Sequence, residues 1–145
     1  MIRKRSTILK TTRDDFLTDV ELAKSLSRFS PMAQKAILFS LLTHTSPEET
    51  TLLTWEEAKR LRLDKPSIQL LRTLPVHINS LLVFWKQTSE GEVYPIYNLN
   101  SLCRHIANGK DWSTYQEAFD RMIYVADSSV AFNTILIKHL MTFRL

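Results

Sequence analysis

The residues best suited to bind another molecule in this chain are lysines and arginines, which gather in two short segments. Residues 1–13 contain Arg3, Lys4, Arg5, Lys10 and Arg13, and residues 59–72 contain Lys59, Arg60, Arg62, Lys65 and Arg72. The first segment has no acidic residue, and the second has only Asp64. Because Lys and Arg bind phosphate and release counterions, both segments predict contact with nucleic acid. The alternative is an ordinary solvated tail and helix surface.

Side chains that catalyse reactions are scattered along the chain. The histidines, His44, His77, His105 and His139, are isolated from one another, and no Gly-x-Ser-x-Gly, Ser-x-x-Lys or His-x-Glu pattern occurs. Neighbouring carboxylates such as Glu56 and Glu57 would point about 100° apart on a helix. Cys103 could be activated by Arg104 beside it, but a lone cysteine is more typical of a buried site. We therefore expect no enzymatic activity, no metal and no cofactor.

Composition favours one folded domain. The chain has 145 residues, of which 44% are hydrophobic and 23% charged, and its net charge is +4. Two glycines are too few for the usual phosphate-binding or dinucleotide-binding loops. The single cysteine allows no internal disulfide, and no signal peptide or apolar stretch of about 18 residues is visible. We expect a cytoplasmic protein that does not enter a membrane.

Helical patterns occupy the first half of the chain. We predict helices over 14–29, over 31–42 behind the cap Ser30, and over 55–61, where Thr54 and Glu57 form a capping box. The segment 44–51 has the composition of a loop, and 51–53 is a short strand. A further helix begins at Pro66, with an apolar side made of Ile68, Leu70, Leu71, Leu74 and Ile78, and Pro75 kinks or ends it.

Extended patterns follow. Residues 81–85 and 92–97 predict a β-hairpin around Gly91, with Pro95 at an edge or bulge. Residues 98–106 are compatible with strand or short helix. Residues 119–125 are rich in β-formers and predict a third strand, and the broad apolar face of 129–143 predicts a closing helix.

This order of elements predicts an α+β fold, a single winged-helix domain over residues 14–145 behind the basic arm 1–13. In such a fold the second helix of the helix-turn-helix enters the major groove, and the hairpin lies against the backbone or minor groove. The exposed side of that helix would carry Gln69, Arg72, Thr73 and His77. Gln and Arg can pair bidentately with adenine and guanine. Any amphipathic helix also turns polar residues outward, which is the competing interpretation.

The hairpin supplies fewer nucleic-acid ligands. Lys86, Gln87 and Thr88 are the candidate contacts of the wing, whereas Glu90 and Glu92 would repel phosphate. Its aromatic residues are Phe84, Trp85, Tyr94 and Tyr97. These rings could stack on single-stranded bases, but packing across strands or a dimer interface is the more usual role.

Several runs resemble a known family. They are SPMAQKAILFSLL, TLLTWEEAKRL, SIQLLRTLP, LLVFWKQ…EVYPIYNL and MIYVADSSVAFNTILIKHLMTF. Their order resembles the N-terminal winged-helix domain of plasmid replication initiator (Rep) proteins. The resemblance implies a first domain used for dimerisation and backbone contact, followed in full initiators by a second domain that reads origin repeats. The chain is similar to that first domain standing alone.

The leading hypothesis is therefore a double-stranded-DNA-binding protein acting in replication or its regulation, as a monomer or a homodimer. Its candidate DNA-binding residues are Arg3, Lys4, Arg5, Lys59, Arg62, Lys65, Gln69, Arg72 and Lys86. The alternative is a small phage or plasmid protein-interaction module on the same scaffold, which inhibits or recruits a host complex. Under that alternative the basic clusters would meet an acidic host or plasmid protein.

Overall fold

The computed structural model describes residues 19–78 and 80–125. In chain order these form α1 (Asp19–Leu26), α2 (Pro31–Thr43), α3 (Pro47–Thr51), α4 (Trp55–Arg60), α5 (Lys65–Arg72), β1 (Lys86–Gln87), β2 (Val93–Tyr94), α6 (Leu99–Ala107) and α7 (Trp112–Val125). The mixture of helices with a small antiparallel sheet confirms the α+β class. The basic arm 1–13, the beginning of the predicted 14–29 helix and the predicted 129–143 helix lie outside the described residues.

Helix α2 is the centre of the core, as predicted. Ser30 caps it by accepting a hydrogen bond from the Ala33 N–H at 3.4 Å, and Pro31 occupies the first turn. Its buried residues include Ile37, Leu38 and Phe39, all with 0% exposure. Helices α3, α5, α6 and α7 all pack against it. The helix is apolar on nearly every side because neighbours surround it.

The prediction of a loop over 44–51 is wrong, because Pro47–Thr51 form α3. Ser46 accepts a hydrogen bond from the Glu49 N–H at 3.0 Å, and a Glu49 carboxylate oxygen accepts one from the Ser46 N–H at 2.9 Å. This reciprocal capping box starts a helix even in a polar segment. The predicted strand at 51–53 is also wrong. Thr51 belongs to α3, and among the described residues the bridge of this region joins Thr54 to Leu82.

The second capping box was predicted correctly and begins α4. The Glu57 N–H donates to Thr54 Oγ1 at 3.2 Å, and the Thr54 N–H donates to Glu57 Oε1 at 3.0 Å. The residues on either side of Thr54 bond to the segment that precedes the hairpin. The Leu53 carbonyl accepts a hydrogen bond from the Val83 N–H, and the Trp55 N–H donates one to the Leu81 carbonyl, both at 3.0 Å. The start of α4 is thereby tied to the base of the hairpin.

Helix α5 begins one residue earlier than predicted, at Lys65, with Pro66 in the first turn. Asp64 caps it by accepting a hydrogen bond from the Ser67 N–H at 3.1 Å. The helix ends at Arg72, before Pro75, which cannot donate a helical hydrogen bond. The prediction that Ile78 belongs to the apolar side of this helix is wrong, because Ile78 lies beyond its end and is 92% exposed.

A hairpin around Gly91 is confirmed, but the predicted first strand at 81–85 is wrong, because the paired residues are Lys86–Gln87 and, of 81–85, only Leu82 makes a bridge, to Thr54. The second strand is shorter than the predicted 92–97. Lys86 pairs with Tyr94 and Gln87 with Val93. Gly91 has a φ of 93°, a left-handed conformation that glycine adopts without steric cost. The Thr88 N–H donates to the Glu92 carbonyl at 2.8 Å and closes the turn.

The predicted third strand at 119–125 is wrong, because these residues continue α7. Tyr115, Ala118 and Phe119 are buried at helical spacing, and this burial outweighs the β propensity of the segment. The Trp112 indole N–H donates to Ser40 Oγ at 2.8 Å, and the Gln116 amide donates to the carbonyls of Ser40 and Thr45, both at 3.0 Å. Residues 98–106, ambiguous from sequence, contribute to α6.

Candidate nucleic-acid interface

One side of α5 faces outward with polar and basic residues. Lys65, Gln69 and Arg72 are all exposed and follow one another at i, i+4 and i+7, so they share a side of the helix. On the opposite side, Ser67 and Leu70 are buried against α2. The inward packing therefore fixes which side of α5 is presented to solvent.

Helix α4 and the turn extend this surface. Lys59 and Arg62 are exposed, and we call Lys59, Arg62, Lys65, Gln69 and Arg72 together the α4–α5 surface. The Arg60 guanidinium lies 3.5 Å from the Glu56 carboxylate, in a pair about three-quarters exposed on both sides. The Asp64 carboxylate accepts the capping hydrogen bond of α5. Positive charge therefore dominates residues 59–72, and their one acidic side chain serves the helix cap.

Thr73 and His77, also predicted on this exposed side, point elsewhere. Thr73 Oγ1 accepts a hydrogen bond from Lys35 Nζ and donates one to the Leu70 carbonyl, both at 2.7 Å. His77 lies past the end of α5, with its ring edge-on to Trp85 at a centroid distance of 5.0 Å and a ring nitrogen 3.2 Å from the Gln87 amide. Thr73 therefore joins α5 to α2, and His77 joins the following loop to the hairpin.

Behind α5 lies a buried lysine. Lys35 on α2 is 1% exposed, and burial lowers the pKa of its ammonium to about 8. Its hydrogen bond to Thr73 lies on the core side of α5. Lys35 is therefore separated from the α4–α5 surface, although it belongs to the helix that supports that surface.

The hairpin contributes one candidate cation and two carboxylates. Lys86 is partly buried in β1, whereas Glu90 and Glu92 are exposed at the turn. Thr88 Oγ1 accepts hydrogen bonds from both glutamate N–H groups, at 3.3 and 3.0 Å. The tip of the hairpin is thus ordered by its own hydrogen bonds and carries negative charge.

The four hairpin aromatics do not form one stacking platform. Phe84 is fully buried against Phe39, with ring centroids 5.5 Å apart. The Trp85 indole N–H donates to the Pro75 carbonyl at 3.3 Å. Tyr94 and Tyr97 stack on each other with centroids 6.3 Å apart, and Tyr97 is exposed. Of these four aromatic residues, only the two tyrosines form a stacked pair near the surface.

Cys103 is buried, with 1% exposure. Burial, with a smaller contribution from the charge of Glu48, raises the pKa of its thiol to about 12. An activated thiol requires a lowered pKa, so its position beside Arg104 does not activate it. Within residues 19–78 and 80–125, no group of three His, Cys, Asp or Glu side chains is placed to hold a metal ion.

The structure also places an apolar feature that the sequence reasoning missed. Val76, Ile78 and Leu81 are large, strongly exposed hydrophobic residues of the loop between α5 and the hairpin. The available signal was Pro75, because a helix that ends before it leaves the following apolar residues without an inward-facing side. Arg3, Lys4 and Arg5 lie outside the described residues.

No protein-family model, curated protein or solved structure matches the chain at a significant level. In the described part of the chain, no helix has both the length and the apolar character needed to cross a bilayer.

Proposed function

We propose that the protein binds double-stranded DNA through the α4–α5 surface. The observation that carries the proposal is the outward alignment of Lys65, Gln69 and Arg72 on a helix whose other side is anchored in the core. Lys59 and Arg62 add exposed cations at the helix that precedes it. A helix presented in this way, with cations beside it, has the size and chemistry to enter a major groove.

The arrangement of the elements supports a winged-helix domain. Two short helices are joined by a four-residue connection, 61–64, and a hairpin follows. The single bridge between Thr54 and Leu82 joins the segment before the first helix to the base of the hairpin. This topology is compatible with α5 as the recognition helix and the hairpin as a wing.

The residues of this surface would contact different parts of the DNA according to their side-chain chemistry. Lys59, Arg62 and Lys65 would contact phosphates and set the register on the duplex, without sequence preference. Gln69 and Arg72 would reach base edges. Lys86 would add one phosphate contact from the hairpin, while the acidic tip would stay away from the backbone.

A narrower role in plasmid replication or its regulation rests on the resemblance to Rep initiator domains. That resemblance also suggests a homodimer. Winged-helix domains serve many processes, so the DNA-binding proposal does not depend on the replication role.

A second candidate function is a protein-interaction module. The exposed Val76, Ile78 and Leu81 favour it, because clustered apolar side chains outside the core often mark a contact with another protein. This loop adjoins the end of α5, so one protein could use both features.

Binding to generic duplex DNA, measured by fluorescence anisotropy at low and moderate salt, tests the proposal. We expect binding at low salt that weakens steeply as salt rises, since each phosphate contact contributes a slope of about 0.9 in log affinity against log salt. An undetectable interaction at low salt would contradict DNA binding and leave the protein-interaction function as the better hypothesis.

A further inference from the structure

A groove of about 700 Å³ lies between the carboxyl-terminal ends of α1 and α6. Its described cationic lining residues are Lys24, Arg28, Arg104 and Lys110, and Glu21 is the one carboxylate among the described lining residues. We call this the α1–α6 groove. None of its residues belongs to the α4–α5 surface.

Three separate parts of the chain build the groove. Lys24 lies in the last turn of α1 and Arg104 in the last turn of α6. Asn108 and Gly109 have positive φ angles of 52° and 89°, so the chain turns sharply after α6 and brings Lys110 to the same groove. The concentration of cations is therefore a product of the fold.

Side-chain contacts join the two sides of the groove. An Arg28 guanidinium nitrogen lies 3.3 Å from a ring nitrogen of His105. The His105 ring lies edge-on to Phe29, with centroids 6.4 Å apart. Ile106, Ala107 and Tyr115, all buried, contribute the apolar part of the lining.

The charge of this groove differs from that of the described chain as a whole. Residues 19–78 and 80–125 contain twelve Lys and Arg and twelve Asp and Glu, so their net charge is zero. Four cations and one carboxylate in one concavity are therefore a local excess. A concave surface lined by one sign of charge focuses its electric field and attracts counterions. Arg28 and Arg104 are also suited to bidentate contact with phosphate oxygens.

We propose that the α1–α6 groove is a second phosphate-binding surface, which holds the backbone of duplex DNA outside the segment contacted by α5. This inference rests on the proposed function, because it takes duplex DNA as the ligand. Backbone phosphates fit a groove whose described cations outnumber its described carboxylate four to one.

The test is anisotropy titration of a duplex of about 30 base pairs, which is roughly 100 Å long at about 3.4 Å per base pair. The double variant Lys24→Ala with Arg104→Ala removes two exposed cations of the groove. The matched control, Lys24→Arg with Arg104→Lys, keeps both charges. We expect the alanine variant to bind more weakly at low salt and to lose about 2 from the salt slope, at about 0.9 per phosphate contact, while the control keeps the wild-type slope.

Arg72→Ala, measured in parallel, separates this inference from the proposed function. If the wild type binds DNA, Arg72→Ala weakens binding, and the groove variant keeps the wild-type affinity and slope, the groove inference alone is overturned. Polyglutamate, titrated as a model of an acidic protein, gives a second comparison. A groove variant that loses binding to polyglutamate but not to DNA would equally overturn the groove inference, in favour of an acidic protein ligand. If the wild type does not bind DNA, both proposals fail. Thermal unfolding checks that the variants remain folded.

Discussion

At the scale of single residues, the hydroxyl of Ser67 is the least expected group in the core. Ser67 is 1% exposed, and its Oγ has no hydrogen-bond partner among the described residues. An unsatisfied buried hydroxyl costs about 1–3 kcal/mol. We expect Ser67→Ala to raise the free energy of unfolding by about 1–2 kcal/mol, partly because Ala also favours helix more than Ser. Urea denaturation measures this change.

Ser40 is the matched control for that prediction. Its Oγ donates to the Thr45 carbonyl at 2.6 Å and accepts from the Trp112 indole at 2.8 Å. Ser40→Ala should therefore lower the free energy of unfolding, since it leaves the Trp112 indole N–H without its acceptor and removes one of the two hydrogen bonds to the Thr45 carbonyl. Two Ser→Ala changes of the same sign would show that hydrogen bonding does not decide the effect.

Lys35 gives stability a dependence on pH. Its pKa is about 8 in the folded chain and 10.5 ordinarily, so below pH 8 folding buries a charge at a cost on the order of 3 kcal/mol. Between pH 8 and 10.5 the folded state releases the proton before the unfolded state, so this cost disappears as pH rises. The stability gained by Lys35→Met should then be largest below pH 8 and shrink towards pH 10.5.

The stability of the wild type also depends on pH through Cys103 and Tyr115, so the effect of Lys35 must be measured as the difference in stability between Lys35→Met and wild type. Burial raises the pKa of both groups, so each lowers stability as pH rises above its ordinary pKa, from about 9 for the thiol. These contributions are common to the two proteins and cancel in their difference. A difference between Lys35→Met and wild type that is constant from pH 7 to 10.5 would contradict the assignment. Denaturant unfolding at several pH values provides the measurement.

Arg72 separates charge from geometry on the α4–α5 surface. Arg72→Ala should reduce the slope of log affinity against log salt on generic duplex, because one of the cations that α5 brings to the DNA is lost. Arg72→Lys should keep that slope but lose discrimination between DNA sequences, since lysine cannot form the planar bidentate contact. Because Arg72 is exposed, both variants should unfold at the wild-type temperature.

At the scale of elements, Asp64 connects helix stability with binding. Its carboxylate caps α5 and also places the one negative charge within residues 59–72. Asn caps helices about as well as Asp, whereas Ala costs about 1 kcal/mol. We therefore expect Asp64→Asn to keep the stability and bind DNA more tightly, as the neutral cap leaves the cations unopposed. Asp64→Ala should bind with the same added charge but unfold more easily.

Anisotropy titration and thermal unfolding on the same samples check both halves of this prediction. Weaker DNA binding by Asp64→Asn, with stability retained, would contradict the placement of α5 against the duplex.

The elements that the sequence predicted well are those with local signals. The cap at Thr54 and the turn at Gly91 act within a few residues, and both lie where the pattern placed them. Helix α3 was also local, since Ser46 and Glu49 form a capping box, but its polar composition favoured a loop. The signal for helix α7 is not local. Its residues 119–125 have β propensity, and only burial of Phe119 within the folded chain decides for helix.

At the scale of the whole molecule, the two basic surfaces differ in whether the spacing of residues in the sequence predicts them. The α4–α5 surface lies within residues 59–72, so helical periodicity places its exposed side chains together. The α1–α6 groove joins Arg28 to His105, 77 positions apart. No spacing rule connects such positions, and only the packing of α1 on α6 brings them together.

The buried thiol of Cys103 offers a way to detect DNA binding by the whole molecule without any amino-acid substitution. Cys103 is the only cysteine of the chain and is 1% exposed, so a thiol reagent must wait until the surrounding helices open. A ligand that binds only the folded state reduces the open population by the factor 1 + [L]/Kd. When opening and closing are faster than modification, the labelling rate of the unmodified protein should slow by that factor as DNA is added. The interior of the protein would then report on what is bound at its surface.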